Sequence, residues 1–351
     1  MSDHPPDHRS PAGLTEVTTV DYHTGGEPFR IVTGGVPGIP GATILEKRRW
    51  AAAHLDHVRR LLVNEPRGHA DMYGCFVVDP DDGGADLGVL FFHNEGYSTA
   101  CGHGTIALVT WALESGRLPM TGPETPVSVD VPSGRLACVA RCDVRSGRVL
   151  RVRFRNVPAF VLAKDVAVGT TVGPVHVDVA YGGAFYGSVD VSSVGLAVDA
   201  ASLPRLIALQ RELRPALDAA LDVAHPEKPE LRGIYGITWW QDEPNAAGDR
   251  AALTQRNVTV FADGEVDRSP CGSGTSARLA ILHARGRLGA GDELRHLSIV
   301  GSSFGGRIVG TTAVAGRPAV VTEVEGSAHR TGRHAFTLDP DDPIGTGFLL
   351  R

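Results

Sequence analysis

The sequence predicts an α+β protein of two similar lobes, each a strand-rich, barrel-like layer wrapped about one central helix, with the active site in the cleft between them. Three observations predict it. A thiol on a glycine-rich turn opens a helix at Cys101-Gly102-His103-Gly104-Thr105, and the same order returns 170 residues later at Cys271-Gly272-Ser273-Gly274-Thr275. Both helices are apolar on nearly every side, which places each inside a core rather than on a surface. A β-branched strand runs into a Gly-Gly turn in each half, at Gly25-Gly26 and Gly182-Gly183, 75 and 88 residues before the respective cysteine, so one plan is used twice.

In chain order, residues 1–14 are polar and Pro-rich and read as a disordered tail. Residues 17–20 read as a strand feeding the turn His23-Thr24-Gly25-Gly26-Glu27-Pro28. A helix is expected over 47–62, with Trp50, Val58, Leu61 and Leu62 recurring on one face and Pro66 ending it. Strands at 75–78 and 88–93 flank an Asp- and Gly-rich loop and deliver Cys101, after which the helix runs over about 105–114. Alternating β-branched and polar residues over 127–160, broken at Pro132-Ser133-Gly134 and Ser146-Gly147, predict an antiparallel meander. The strand, Gly-Gly turn and strand of 175–185 restart the plan. Residues 199–224 are mostly helical, with Pro204 early and Pro215 starting a second segment. A strand at 257–261, the helix at about 275–285 and strands at 294–300, 307–314, 319–325 and 335–338 complete the chain. The expected division is a tail to residue 14, a first lobe over 15–174 and a second over 175–351, with the final strands free to return to the first lobe.

Composition bounds the partners. The chain has 351 residues, with 34 Lys and Arg against 40 Asp and Glu and no long basic run, which argues against nucleic acid or an anionic membrane and for a small-molecule ligand. No apolar run is long enough to span a bilayer and the first residues lack a signal-peptide pattern, so a cytoplasmic protein is expected. Five cysteines are an odd and sparse set, which speaks against a disulfide framework and for a reducing compartment. Cys75, Cys138 and Cys142 lie on no glycine turn and read as core residues. Cys138 and Cys142 have no His or Cys pair beside them and the histidines are scattered, so no metal is expected. His69 and Asp71 read as a structural hydrogen-bonded pair.

The chemistry follows from the two turns. Bare backbone amides at a helix N-terminus attract an anion and lower the pKa of a nearby thiol. Two such turns facing each other would hold one carboxylate with a thiol on either side of the carbon that carries it. Inverting an α-carbon needs a base on one face and an acid on the other, and two cysteines, one thiolate and one thiol, can supply both. The helix ends are expected to bring the thiol pKa from about 8.5 toward neutrality.

The stretches Ser269-Pro270-Cys271-Gly272-Ser273-Gly274-Thr275, Cys101-Gly102-His103-Gly104-Thr105, His23-Thr24-Gly25-Gly26-Glu27-Pro28 and Tyr181-Gly182-Gly183 resemble the proline racemase family, from about Val17 to the end of the chain. The resemblance implies a diaminopimelate epimerase-like fold, a cofactor-independent activity on proline or hydroxyproline, and a homodimer. It implies that Cys101 and Cys271 are the acid and base, and that the amides of Gly102, His103, Gly272 and Ser273 cradle the carboxylate. It places His103 and Asp267 at the ring nitrogen, with Tyr73 and Phe261 beside the ring.

Within that family, two paired cysteines resemble the racemases and 4-hydroxyproline 2-epimerases, whereas dehydratases of trans-3-hydroxy-L-proline carry Thr at the second position. Cys271 therefore favours inversion of proline or 4-hydroxyproline. Phe92-His93-Asn94-Glu95-Gly96-Tyr97-Ser98, Ser276-Ala277-Arg278 and Glu325-Gly326-Ser327-Ala328-His329 resemble the dehydratase branch, and dehydration is the alternative. A non-catalytic amino-acid-binding protein could use the same cradle, but would not need both thiols.

Overall fold

Two helices, each hidden inside a wrap of strands, organise the chain in the computed structural model, which describes residues 15–245, 253–339 and 341–350. The tail expected at residues 1–14 lies outside the described residues. In the first half the strands are β1 (Thr15–Thr24), β2 (Glu27–Gly34), β3 (Tyr73–Val78), β4 (Leu87–His93), β5 (Gly96–Tyr97), β6 (Glu124–Val131), β7 (Gly134–Asp143) and β8 (Arg148–Arg155), with helices α1 (Ile44–His54), α2 (Asp56–Val63) and α3 (Gly102–Glu114). The second half carries β9 (Ala159–Thr170), β10 (Gly173–Tyr181), β11 (Phe185–Asp190), α4 (Leu203–Ala220), β12 (Ala224–His225), β13 (Lys228–Arg232), β14 (Ile234–Glu243), β15 (Leu253–Phe261), β16 (Glu265–Asp267), α5 (Gly272–Ala284), β17 (Glu293–Ser298), β18 (Ser303–Val314), β19 (Arg317–Gly326) and β20 (Ala328–Leu338).

The pairings make two rings that share β19. Around α5 the order β9, β10, β11, β14, β15, β17, β18, β19 closes, because β19 pairs back onto β9. Around α3 the order runs β20, β1, β2, β3, β4, β6, β7, β8, β19, with the chain itself joining β19 to β20. Each ring contains two parallel pairs, one across its central helix (β4 with β6, β15 with β17) and one next to its Gly-Gly hairpin (β2 with β3, β11 with β14), and the latter pair needs a further crossover. α1 and α2 make that crossover in the first half and α4 in the second.

Burial explains why the helices sit where they do. Ile106, Leu108 and Val109 of α3 and Leu279, Ile281 and Leu282 of α5 are at most 1% exposed, and each contributes on the order of 1.5–3 kcal/mol by leaving water. Outside the rings, Leu61 and Leu62 of α2 pack with Phe76 and Leu90, while Leu206, Leu209, Leu213 and Leu217 of α4 pack with Ile237 and Val260. No helix among the described residues is long and apolar enough to cross a membrane.

The elements depart from expectation in three places. The helix expected over 47–62 is two helices, broken at Leu55, whose φ of −118° and ψ of 13° are not helical. The break aims Ile44 and Ala51 of α1 and Val58, Leu61 and Leu62 of α2 into one cluster. Pro215 does not start a new segment. It lies on the exposed face of a continuous α4, where water can take the carbonyl it orphans while the buried leucines keep the inner face unbroken. Both central helices also begin three residues before the expected start, at Gly102 and Gly272, since the glycines belong to the helices rather than to the turns.

Candidate active site

Each cysteine of the paired turns is the residue that caps a central helix, Cys101 on α3 and Cys271 on α5. The amide of Thr105 donates to the carbonyl of Cys101 at 2.9 Å and that of Thr275 to Cys271 at 2.7 Å, so both turns are wound alike. They differ at the thiol. Cys101 is extended (φ −152°), and its Sγ accepts the amide of Gly104 at 3.3 Å and meets the His103 ring nitrogens at 3.4 and 3.5 Å. Cys271 has φ +60°, a conformation that costs a non-glycine residue roughly 1–3 kcal/mol. Its amide donates to Ser269 Oγ at 3.1 Å, and its Sγ lies 3.9 Å from Tyr186 Oη.

The two helix starts abut at Gly102 and Gly272, where neither backbone leaves room for a β-carbon on the other. The first amides of both helices, those of Gly102, His103, Gly272 and Ser273, have no intrahelical acceptor, and all four residues line one cavity. Two positive helix ends this close repel unless an anion sits between them. Cys101 and Cys271 line the same small cavity, while four larger hollows among the described residues are lined by no cysteine.

All nine residues expected at the site line this one cavity. Tyr73 sets its ring edge-on to His103, centroids 4.9 Å apart, and Phe261 stacks on Tyr235 at 5.2 Å and 11°. Ser273 Oγ shares a 2.7 Å hydrogen bond with Tyr186 Oη. Asp267 is buried behind Cys271, and its Oδ1 accepts the amide of Ser269 at 2.8 Å, so it braces the turn as well as facing the cavity.

Sequence reasoning missed Ala100, Tyr186, Tyr235 and Thr259, which complete the lining. For Tyr186 the signal was period two along its strand. In β11, Phe185 and Val189 join the outer core while Tyr186 and Ser188 point to the other face. In β14, Ile237 and Trp239 face outward, and strict alternation would put Tyr235 with them; a register shift between the Phe185–Ile234 and Tyr186–Gly236 pairs turns Tyr235 to the cavity instead, which no local pattern announces. Tyr235 Oη lies 2.5 Å from Tyr73 Oη, so one phenol donates to the other.

Electrostatics overturn one expectation. Burial pushes both thiols up, Cys101 well above its ordinary value and Cys271 also strongly, and the helix ends do not bring them toward neutrality. The amides of Gly104 and Gly274 pull the other way, but the negative charge of Asp267 adds to the burial at both thiols. His103 is pushed down to about 3, first by burial and then by the Arg268 cation, so its imidazole is neutral. Asp267 is raised to about 6 by burial, against the hydrogen bonds it receives from Ser269 and Cys271.

Comparison with known proteins shows the family and the fold. Residues 19–349 match the family model described as proline racemase. The chain is 49% identical to a trans-3-hydroxy-L-proline dehydratase of Burkholderia cenocepacia over 336 residues, covering 95% of this chain and 98% of that protein. It is equally similar, 49% over 336 residues with 95% and 98% coverage, to a 3-hydroxyproline 2-epimerase of Burkholderia multivorans. Among solved structures it is similar to a hydroxyproline epimerase from Agrobacterium vitis with bound trans-4-hydroxy-L-proline, with a TM-score of 0.87, 34% identity and 96% of each chain covered. A Bacillus anthracis protein of the PhzF family shares the fold alone, with a TM-score of 0.54 and 12% identity over 91% of this chain and 98% of that one.

Proposed function

The chain belongs to the proline racemase family, and on that premise we propose that it inverts the α-carbon of a hydroxylated proline, with Cys101 and Cys271 as alternating base and acid. One observation carries the reading: a thiol caps each of two helices whose N-termini meet in one buried cavity. The substrate carboxylate sits between the helix starts, where four amides stabilise the charge that the carbanion spreads onto its oxygens. One thiolate takes the α-proton and the thiol across the cavity returns a proton to the opposite face, so the two cysteines exchange protonation states in each turnover. Burial makes the thiolate rare but strongly basic, which suits a weakly acidic carbon acid, and the ring ammonium of the substrate supplies the positive charge that favours its formation. Neutral His103 and the Asp267 carboxylate receive that ammonium.

The hydroxylated ring is favoured by the wall. A proline ring offers only carbon beyond its nitrogen and carboxylate, yet Tyr73, Tyr186 and Tyr235 bring phenol groups to this cavity. Buried hydroxyls favour a ligand that can pair with them. The relatives at 49% identity are both named for 3-hydroxyproline, and trans-3-hydroxy-L-proline is the substrate we place first, ahead of the proline or 4-hydroxyproline favoured by sequence.

A second reading, dehydration of the same substrate, is favoured by the 49% identical dehydratase. It needs proton removal on one face only, after which the 3-hydroxyl departs. Incubation with trans-3-hydroxy-L-proline, trans-4-hydroxy-L-proline and L-proline, reading α-carbon configuration and water loss together, separates the readings. Epimer without water loss supports inversion, a cyclic imine supports dehydration, and reaction with none of the three overturns both.

A further inference from the structure

We infer that Arg268, held by Glu27 and Asp71 of the other lobe, is a latch that sets the backbone of Cys271, which makes Arg268 and Glu27 positioning residues for the proton transfer proposed above. The inference rests on that reading for its catalytic consequence and on the interlobe contacts for its geometry.

The two Gly-Gly turns make equivalent contacts. The first is tied to its own helix start by Thr24 Oγ1, which donates to the carbonyl of His103 at 2.9 Å. Its outer side meets the other lobe, where a β-carbon on Gly25 (φ +59°) would lie 3.3 Å from Pro270 and where Gly25 O accepts Ser302 Oγ at 2.7 Å. The second turn packs Gly182 against the carbonyl of Ser273, while a β-carbon on Gly183 (φ +105°) would lie 2.8 Å from that of Ala100. Thr99 Oγ1 donates to Gly183 O at 3.0 Å. Each turn therefore spans from the start of its own helix to the residue just before the other lobe's cysteine, Pro270 or Ala100.

The symmetry breaks at the charges. After the first turn comes Glu27, fully buried, and after the second come Ala184 and Phe185. Glu27 Oε2 accepts the amide of Arg268 at 2.7 Å and lies 3.0 Å from its Nε, while Arg268 Nη1 lies 3.4 Å from Asp71 Oδ2. Asp71 Oδ1 accepts the amide of Val266 at 3.2 Å. First-lobe carboxylates thus grip residues 266 and 268 by backbone and side chain, just ahead of Cys271. The cysteine that follows this grip is the one at φ +60°, whereas Cys101, whose contacts to the other lobe through Thr99 and Ala100 are neutral, is relaxed at φ −152°. A strained conformation persists only where its surroundings over-determine it, and the latch supplies that constraint.

The test uses the full-length protein and two substitutions, Glu27→Gln, which keeps an acceptor for the Arg268 amide but loses the charge, and Arg268→Lys, which keeps the charge but not the fork. Alkylation of each thiol by iodoacetamide, separated by peptide mapping, is measured beside kcat, KM and melting temperature. We expect Cys271 to react at least about tenfold faster in both variants while Cys101 changes by less than about threefold. We expect kcat to fall with KM held within about threefold, because the latch touches no substrate atom. Equal acceleration of both thiols, through loosening or unfolding, would overturn the latch, and so would unchanged alkylation of Cys271. Alkylation is independent of the substrate, so a wild-type protein inert toward every proline would sink the proposed activity and leave this result to stand or fall alone.

Discussion

A β-carbon built on Gly102 lies 2.5 Å from the α-carbon of Gly272, a separation that real β-carbons do not show. The contact fixes how near the two helix starts come, and hence where both sets of amides point. Gly102→Ala and Gly272→Ala should each lower stability by about 1–3 kcal/mol through overpacking. Each should also cut kcat/KM by roughly a hundredfold, because the donors are pushed off the carboxylate. Thermal melts and steady-state kinetics read the two effects separately, and full activity in either variant would remove the shared carboxylate cradle.

Each thiol carries one face of the reaction. Cys101→Ser and Cys271→Ser should both lower inversion by at least about a thousandfold. If the chain eliminates water instead, Cys271→Ser should retain much of that activity while Cys101→Ser does not. Chiral chromatography of the products, with a colorimetric assay for the imine, distinguishes these patterns.

The Tyr73 and Tyr235 hydroxyls, 2.5 Å apart, are the proposed partners of the ring hydroxyl. Tyr235→Phe should reduce the preference for hydroxyproline over proline, measured as the ratio of kcat/KM values, by about tenfold or more. An unchanged ratio would mean that the ring hydroxyl is met elsewhere.

Acidity should act through Asp267 and not through His103. Asp267 is raised to about 6, so kcat/KM should climb as pH passes through about 6 and the carboxylate forms. An acid whose folded pKa is raised contributes stability at low pH that is lost as pH rises from 3.8 through about 6, so burying the Asp267 charge costs stability at neutral pH. Asp267→Asn should abolish the acidic limb of the profile and melt no lower than wild type at neutral pH. His103, depressed from 6.5 to about 3, contributes stability that is present above 6.5 and lost as pH falls toward 3, and it titrates below the working range. An acidic limb that survives in Asp267→Asn would assign it to another group.

Much of this was legible because the chain repeats itself. The Cys-Gly-x-Gly-Thr signature marked both caps, and the all-round apolar helices of Ile106 and Leu279 announced their burial inside the rings. Long-range pairing was not legible. Nothing local to Arg317–Gly326 shows that β19 closes one ring and borders the other, and β14, which carries Tyr235, has an apolar run that periodicity cannot assign to a face. The thiol pKa was misjudged for a related reason. The helix end is written in the local sequence, but the burial that outweighs it is made by the whole fold, which closes other strands over each thiol.

The central claim is that two thiols work from opposite faces, and it is tested most directly by isotope distribution at early times in deuterium oxide, starting from unlabelled trans-3-hydroxy-L-proline. A thiol holds a single exchangeable proton, so the face that gives up protium is not the face that receives solvent deuterium. The account predicts that the epimer formed first carries deuterium at the α-carbon while the recovered substrate retains protium. Deuterium entering the recovered substrate as fast as the epimer forms would mean that one base serves both faces, and would contradict the account.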